Sequence, residues 1–152
     1  MKQSAGILLY RTSNNQIEVF LVHPGGPFFK NKDEGWWTIP KGEPSGDEPL
    51  LQTARREFEE ETGYLPAGSA IPLQPITQKG GKRVHCWAIP GDLDPNSLVS
   101  NTFEMEWPPK SGKLSTFAEV DTGAWFNVEQ AKKKINQMQF SFIEELVNVL
   151  SL

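Results

Sequence analysis

KGEPSGDEPLLQTARREFEEETGY, residues 41–64, contains the element on which the reading of the whole chain turns. Its opening, residues 41–46, carries Gly42, Pro44 and Gly46 and reads as loop. Asp47 is a candidate N-cap, Pro49 suits a first helical turn, and a helix is expected over residues 48–61. Thr62 leads to Gly63, a residue suited to the left-handed position behind a helix end. On a helical projection of about 100° per residue, with Glu57 set at zero, Leu50, Leu51, Ala54 and Phe58 fall between roughly 20° and roughly 120°. They form the stripe to be buried. Glu61 falls at about 40°, inside that stripe, and Glu60 at about −60°. Gln52, Arg55 and Glu59 point away and make a wet surface.

A solvated acidic helix accounts for Glu59 but not for its neighbours. Glu57 and Glu61 are like-charged at i and i+4, an unfavourable pair. Both border or enter the apolar stripe, where a carboxylate loses hydration. Glu60 and Glu61 lie toward the C-terminal end, where the helix dipole disfavours anions. Three penalties at one place suggest a compensating cation. Glu57, Glu60 and Glu61 can jointly offer oxygens to Mg²⁺ or Mn²⁺, which favour carboxylates and water.

Working outward, residues 4–10 (SAGILLY) and 17–23 (IEVFLVH) are strand-like, with a polar turn at 12–15. Residues 24–35 read as a loop punctuated by Pro and Gly. Residues 36–39 read as a short strand that Pro40 ends, because proline cannot donate to a ladder. Residues 71–78 and 83–89 are the next expected strands, joined by Lys79-Gly80-Gly81-Lys82. Residues 90–96 are a turn region, and 103–115 read as irregular, with Pro108, Pro109 and Gly112. Residues 124–126 form a short strand, Asn127 is a candidate cap for a helix from Val128, and residues 140–150 form a closing amphipathic helix. Strands mixed with few helices predict an α/β or α+β layered domain.

At 152 residues, one domain over 1–152 is expected, with 5 Trp and 9 Phe to supply buried surface. No apolar run is long enough to span a membrane, and the start, MKQSAGILLY, reads as a strand rather than a signal peptide. The lone cysteine, Cys86, excludes an internal disulfide, suits a reducing, cytoplasmic setting, and reads as a small buried hydrophobe. The net charge of −4 carries no basic footprint for duplex nucleic acid. Small anionic ligands stay compatible with it, since local Lys and Arg or a bound cation override net charge. A monomer and a homodimer fit these features equally.

The spacing of Gly42, Glu48, Arg56, Glu57, Glu60, Glu61 and Gly63, with bulky Phe58 between them, resembles the signature of the Nudix hydrolase family. Tyr64 stands where an aliphatic residue is more usual. The preceding Trp37-Thr38-Ile39-Pro40-Lys41 also resembles what enters this box. Overall the sequence is most similar to small predicted NTP pyrophosphohydrolases, and its Trp-rich entry is similar to dinucleoside polyphosphate hydrolases.

The resemblance implies an α/β/α sandwich and a Mg²⁺-dependent hydrolase that cleaves the diphosphate linkage of a nucleoside diphosphate joined to another group. It implies Glu57, Glu60 and Glu61 as metal ligands, with a carbonyl near Lys41 or Gly42 as a further one. Glu57 or a downstream Glu would orient or deprotonate the attacking water, and Arg56 would orient a carboxylate. Glu119, in AEVDTGAWF, resembles the auxiliary carboxylate of such sites, with Glu104 and Glu106 competing. From their own chemistry, Lys79, Lys82 and Arg83, together with Lys41 beside the box, are candidates to hold substrate phosphates. For Glu48, stabilisation of the first helical turn competes with a site role. His23 and His85 sit in apolar strands and read as packed. Of Phe28, Phe29, Trp36 and Trp37, some are candidates to stack a base and at least two read as core. The alternative reading is a nucleotide-binding module of this kind without catalysis.

Overall fold

The computed structural model describes residues 2–151. In chain order its elements are β1 (Gln3–Ser13), β2 (Gln16–Pro24), β3 (Lys41–Gly42), α1 (Leu50–Thr62), β4 (Ile71–Pro72), β5 (Ile76–Thr77), β6 (Arg83–Pro90), β7 (Thr102–Glu106), β8 (Leu114–Ala118), β9 (Val120–Asn127), α2 (Val128–Lys134) and α3 (Phe140–Leu150). β1 and β2 form an antiparallel hairpin turned by Asn14 and Asn15, both with positive φ, which asparagine tolerates in two-residue turns. β6 runs parallel to β1, and β9 runs antiparallel to β2, giving a mixed sheet in the order β4-β6-β1-β2-β9.

Side-chain alternation sends the two faces of this sheet to two cores. Ala5, Ile7, Leu9, Phe20, Val22 and Ile89 pack with Ala54 and Phe58 of α1. Leu8, Val19, Leu21, Val84, Cys86 and Ala88 pack with Ala131, Ile135, Phe142, Ile143 and Leu146 at the α2–α3 side. The result is the expected α/β/α sandwich. Cys86 is the buried small hydrophobe its context suggests, and burial pushes its thiol up. Among the described residues no helix is long and apolar enough to cross a membrane.

The entry to the signature differs from the expectation. β2 pairs with the second half of β1, and β3 pairs with the first half, at Ala5↔Gly42 and Gly6↔Lys41. Trp37 and Thr38 make isolated bridges only, to Ile135 and Val22. Regular pairing begins beyond Pro40 rather than ending there. Pro40 lacks a donor, but its carbonyl accepts the Ile7 N–H at 3.3 Å, so the ladder passes through it. Lys41 and Gly42, expected as loop, are therefore strand.

Other departures have local causes. α1 starts at Leu50 with Pro49 at the capping position and no side-chain cap, so Asp47 does not cap it. Glu48 serves this corner instead, accepting the Ser45 N–H and the Thr53 hydroxyl. Pro72 and Pro75 break the expected strand over 71–78 into β4 and β5. The stretch read as irregular is the hairpin β7–β8, with Pro108, Pro109 and Gly112 confined to its turn. Asn127 caps α2 as expected, with Gln130 returning the bond.

Phe58 is fully buried, 6.2 Å from the Phe20 ring and 6.1 Å from Tyr64. Phe58→Ala is expected to cost about 3–5 kcal/mol in urea denaturation. An unchanged midpoint would contradict this seat for α1.

Candidate functional site

The register of β3 on β1 brings Gly42 under the C-terminal half of α1. A Cβ built on Gly42 would overlap the Glu57 carboxylate, so only glycine lets this strand and that side chain meet. One turn further, Glu61 is 8% exposed, and its carboxylate accepts the Lys41 N–H at 3.2 Å. Burial first, then the charges of Glu57 and Glu119, push Glu61 up to about 8. Burial, followed by Glu60, also raises Glu57.

Arg56 organises the exposed side of this group. Its Nε and Nη2 donate to the two Glu48 oxygens, each at 2.9 Å, as a forked pair. Its Nη1 donates to Glu57 at 3.1 Å and to Glu60 at 3.0 Å. Nη2 also reaches the Glu43 carbonyl at 3.1 Å. The guanidinium is held above its usual value by these carboxylates, and its hydrogen bonds hold Glu48 down to about 2.

Glu119 enters through the backbone. The Asn101 N–H donates to the Glu60 carbonyl (2.7 Å), the Glu119 N–H to the Asn101 carbonyl (2.8 Å), and the Gly25 N–H to the Glu119 carbonyl (2.9 Å). The Val99 N–H takes the Thr62 carbonyl at 2.9 Å, so the segment 99–101 satisfies carbonyls that the helix end leaves free. Burial, then Glu60, raises Glu119, and its charge is felt at Glu57 and Glu61. A Cβ on Gly25 would overlap the Ala118 carbonyl. Nothing in the sequence marks out Asn101 or Gly25. Asn101 acts through its main chain, which no residue type announces, and Gly25 was hidden in a loop rich in glycine and proline.

The other candidates divide. Lys41 lies among the charges of Glu61, Glu43 and Glu57; burial and Lys82 lower its pKa. Lys82 pairs with Glu43 at 3.6 Å, on the same rim. Lys79 is exposed in the turn after β5, and exposed Arg83 pairs through its backbone with Gln3, Thr77 and the Lys2 carbonyl. The structure does not bring these two to the carboxylates. Glu106 is occupied by the Lys110 and Gly112 N–H groups of the β7–β8 turn, and Glu104 is exposed on that hairpin. His23 is buried between Asp121 and the Lys32 carbonyl, and His85 bonds Gln3. Arg55, expected on a wet face, ties the Pro66 carbonyl at 2.8 Å.

Among the described residues no three His, Cys, Asp or Glu side chains are grouped closely enough to hold a metal ion. The expected cage of converged oxygens is therefore not formed; Arg56 Nη1 stands between Glu57 and Glu60. The donor set nevertheless fits a divalent cation. Hard oxygen donors are crowded in a half-buried corner, and at neutral pH Glu61 carries its charge fully only if a cation stabilises it.

The Glu48–Arg56 pair carries a pH signature. A carboxyl whose folded value is depressed stabilises the fold above its unfolded value and loses that contribution as pH falls through the folded one. Glu48→Gln is expected to lower the urea midpoint at neutral pH. Its difference from the unaltered protein should close as pH falls from 4.5 toward about 2. A difference that persists unchanged through that window would show that the ionised pair is not its source.

Comparison with known proteins agrees with this architecture. A family profile described as NUDIX domain matches residues 1–146. None of the curated proteins compared with the chain matches it. Among solved structures, an Ap4A hydrolase binary complex from C. elegans is 22% identical, with a TM-score of 0.67 over 99% of this chain and 98% of that one. The NUDIX domain of Shewanella oneidensis NrtR complexed with ADP ribose is 17% identical, with a TM-score of 0.67 over 100% of this chain and 89% of that one. A mutT/nudix family protein from Listeria innocua is 15% identical, with a TM-score of 0.65 over 99% and 94%. At these identities the structural likeness speaks for the fold, while the profile, covering nearly the whole chain, makes this protein a member of the Nudix family.

Proposed function

We propose that this protein is a Mg²⁺- or Mn²⁺-dependent hydrolase that cleaves the diphosphate linkage of a nucleoside diphosphate joined to another group, such as a nucleoside triphosphate or a dinucleoside polyphosphate. The observation that carries this reading is a buried Glu61 carboxylate that feels the charges of Glu57 and Glu119, next to a Glu57 carboxylate seated against a glycine that leaves no room for a side chain. A merely structural corner has no use for such crowding, because each carboxylate raises the proton affinity of the next.

In this reading Glu57, Glu60 and Glu61 hold the cation, with the Gly42 carbonyl as a further donor. When bound, the cation neutralises diphosphate oxygens and makes water a better nucleophile. Glu119, ahead of Glu57, Glu104 and Glu106, would accept a proton from the attacking water: Asn101 links its backbone to the Glu60 carbonyl, and Glu106 bonds the N–H groups of its own hairpin turn. Its raised proton affinity suits it to that role. Arg56 keeps Glu57 and Glu60 together before the cation arrives. Lys41 and Lys82 would meet the phosphates across the rim, with Lys79 and Arg83 of the same turn as further candidates. A binding module without catalysis has the same fold but no use for Glu119.

A phosphate-release screen over nucleotides with Mg²⁺ tests this reading, with ¹⁸O-labelled water locating the attacked phosphorus. Glu60→Gln and Glu61→Gln are each expected to reduce turnover by about a hundredfold or more while folding persists. Rates near those of the unaltered protein would remove these roles. Mg²⁺ is expected to raise the melting temperature, and chelation to reverse the rise. A melting temperature indifferent to Mg²⁺ and Mn²⁺ would remove the metal.

A further inference from the structure

β9 does not pair with β2 in a single register. His23 stands opposite Thr122, but Pro24 stands opposite Val120, so Asp121 is an extra residue without a partner across the ladder, a β-bulge. Its consequence shows in the side chains. Trp125 packs on the α1 side of the sheet, and a Cβ on Gly123 would meet the Phe20 ring on that same side. Strict alternation would send Asp121 the same way and Val120 to the opposite face. The structure has the reverse. Val120 is buried in the core with Phe58, while Asp121 meets His23, which continues the row of Val19 and Leu21 toward α2 and α3. Glu119 immediately precedes this reversal.

The buried His23 ring holds the extra residue. Its Nδ1 lies 2.9 Å from the Asp121 carboxylate and its Nε2 lies 2.6 Å from the Lys32 carbonyl. Pro24 brings no N–H to the ladder at the shift, so this side-chain bond stands where backbone pairing is poorest. Both partners of the ring are acceptors. A neutral imidazole carries one N–H and an imidazolium carries two, so both bonds form together only on a protonated ring. The charged groups around it are Asp121 of β9, Lys30, Lys32 and Asp33 of the loop after β2, and Lys134 of α2, which reaches Asp33 at 2.6 Å. Trp37 adds only its ring, tilted at 65° and 5.4 Å away.

We propose that His23 is a positioning residue for Glu119, tying the bulge of β9 to the loop after β2, and that the tie is complete only while the ring carries its proton. This rests on the hydrolase reading above and names what sets the carboxylate that accepts the proton from water. The path from ring to carboxylate is short. Gly25, two residues after His23, donates its N–H to the Glu119 carbonyl at 2.9 Å. The Val120 N–H, between Glu119 and Asp121, donates to the Ser100 hydroxyl at 3.0 Å. With the ring bonded at both nitrogens, residues 23–25 and 119–121 are one unit. When the ring loses its proton as pH rises, one of its two bonds opens, and the bulge is left to its backbone bonds. A slip of one residue there exchanges the faces of the side chains, which withdraws Val120 from the core and carries Glu119 with it.

The test is amide hydrogen exchange by nuclear magnetic resonance, read as the protection factor of the Gly25 N–H without metal or substrate, on the unaltered protein, His23→Phe, Asp121→Ala and Asp121→Asn. Asp121 is exposed, so its variants keep the test open should His23→Phe fail to fold by circular dichroism. His23→Phe and Asp121→Ala are expected to lower the protection about tenfold, as for a lost hydrogen bond to a charged group. Asp121→Asn is expected to keep it, because the asparagine amide can donate to Nδ1 of a neutral ring whose Nε2–H stays on the Lys32 carbonyl. In the unaltered protein the protection should fall as pH rises and the ring loses its proton, and in Asp121→Asn it should stay level. In turnover, Asp121→Ala should lower kcat about tenfold with KM little changed, and Asp121→Asn should restore it. Equal protection in all four proteins overturns the tie, and protection that is level with pH in the unaltered protein overturns the part given to the proton. Lost protection in Asp121→Ala with kcat unchanged overturns the positioning of Glu119. Lost protection in a protein that hydrolyses no nucleotide leaves the tie standing and removes the hydrolase reading.

Discussion

The guanidinium of Arg56 is the contact on which the acidic corner depends. Glu48, Glu57 and Glu60 project from or beside one short helix, and their mutual repulsion would spread them into solvent. Arg56 gives Glu48 a forked pair and places its remaining donor between Glu57 and Glu60. A lysine could balance the charge but not the directions, because only a planar fork serves several carboxylates at once. Glu61 lies beyond this reach and is left with the backbone of Lys41 and the neighbouring charges. That difference leaves Glu61, at the buried end of the cluster, with a raised proton affinity, which a bound cation would offset.

The sandwich around the corner explains why it holds its shape. α1 is fastened to the sheet by Ala54 and Phe58, and β3 is fastened to β1, so Glu57 and Gly42 meet between two rigid elements. The helix end is closed by residues 99 and 101, and the same segment passes its register on to Glu119 and then to Gly25. One run of backbone hydrogen bonds thus links the helix, the loop after β2 and the base of the β7–β8 hairpin. Backbone bonds of this kind change little with side-chain substitution, which makes them a dependable frame for a site whose side chains repel one another.

Much of this was legible in the chain. The strand-like runs in residues 4–10 and 17–23, the stripe of the closing helix and Gly63 behind α1 depend on local composition, local periodicity and local backbone preference, and the structure has them where expected. Glu61 stood out because helical geometry alone puts it among apolar residues. The β7–β8 hairpin was missed because Pro108, Pro109 and Gly112 dominate the reading of their neighbourhood, although they occupy only its turn. The pairing of Lys41 and Gly42 is not legible in the chain, because Pro40 has no donor and reads as a stop, whereas its carbonyl still accepts. A projection of the helix gives directions but not partners. It brought Glu57, Glu60 and Glu61 to one edge and could not show that Arg56 would stand between two of them.

The central claim is that these carboxylates are crowded in order to share a divalent cation. Titration of Mn²⁺ into the protein, followed by electron paramagnetic resonance of the free ion, tests it without relying on turnover. The account predicts that the unaltered protein removes free Mn²⁺ saturably and that Glu57→Gln and Glu61→Gln each weaken this uptake. Uptake that is absent, or that is unaffected by both substitutions, would contradict it.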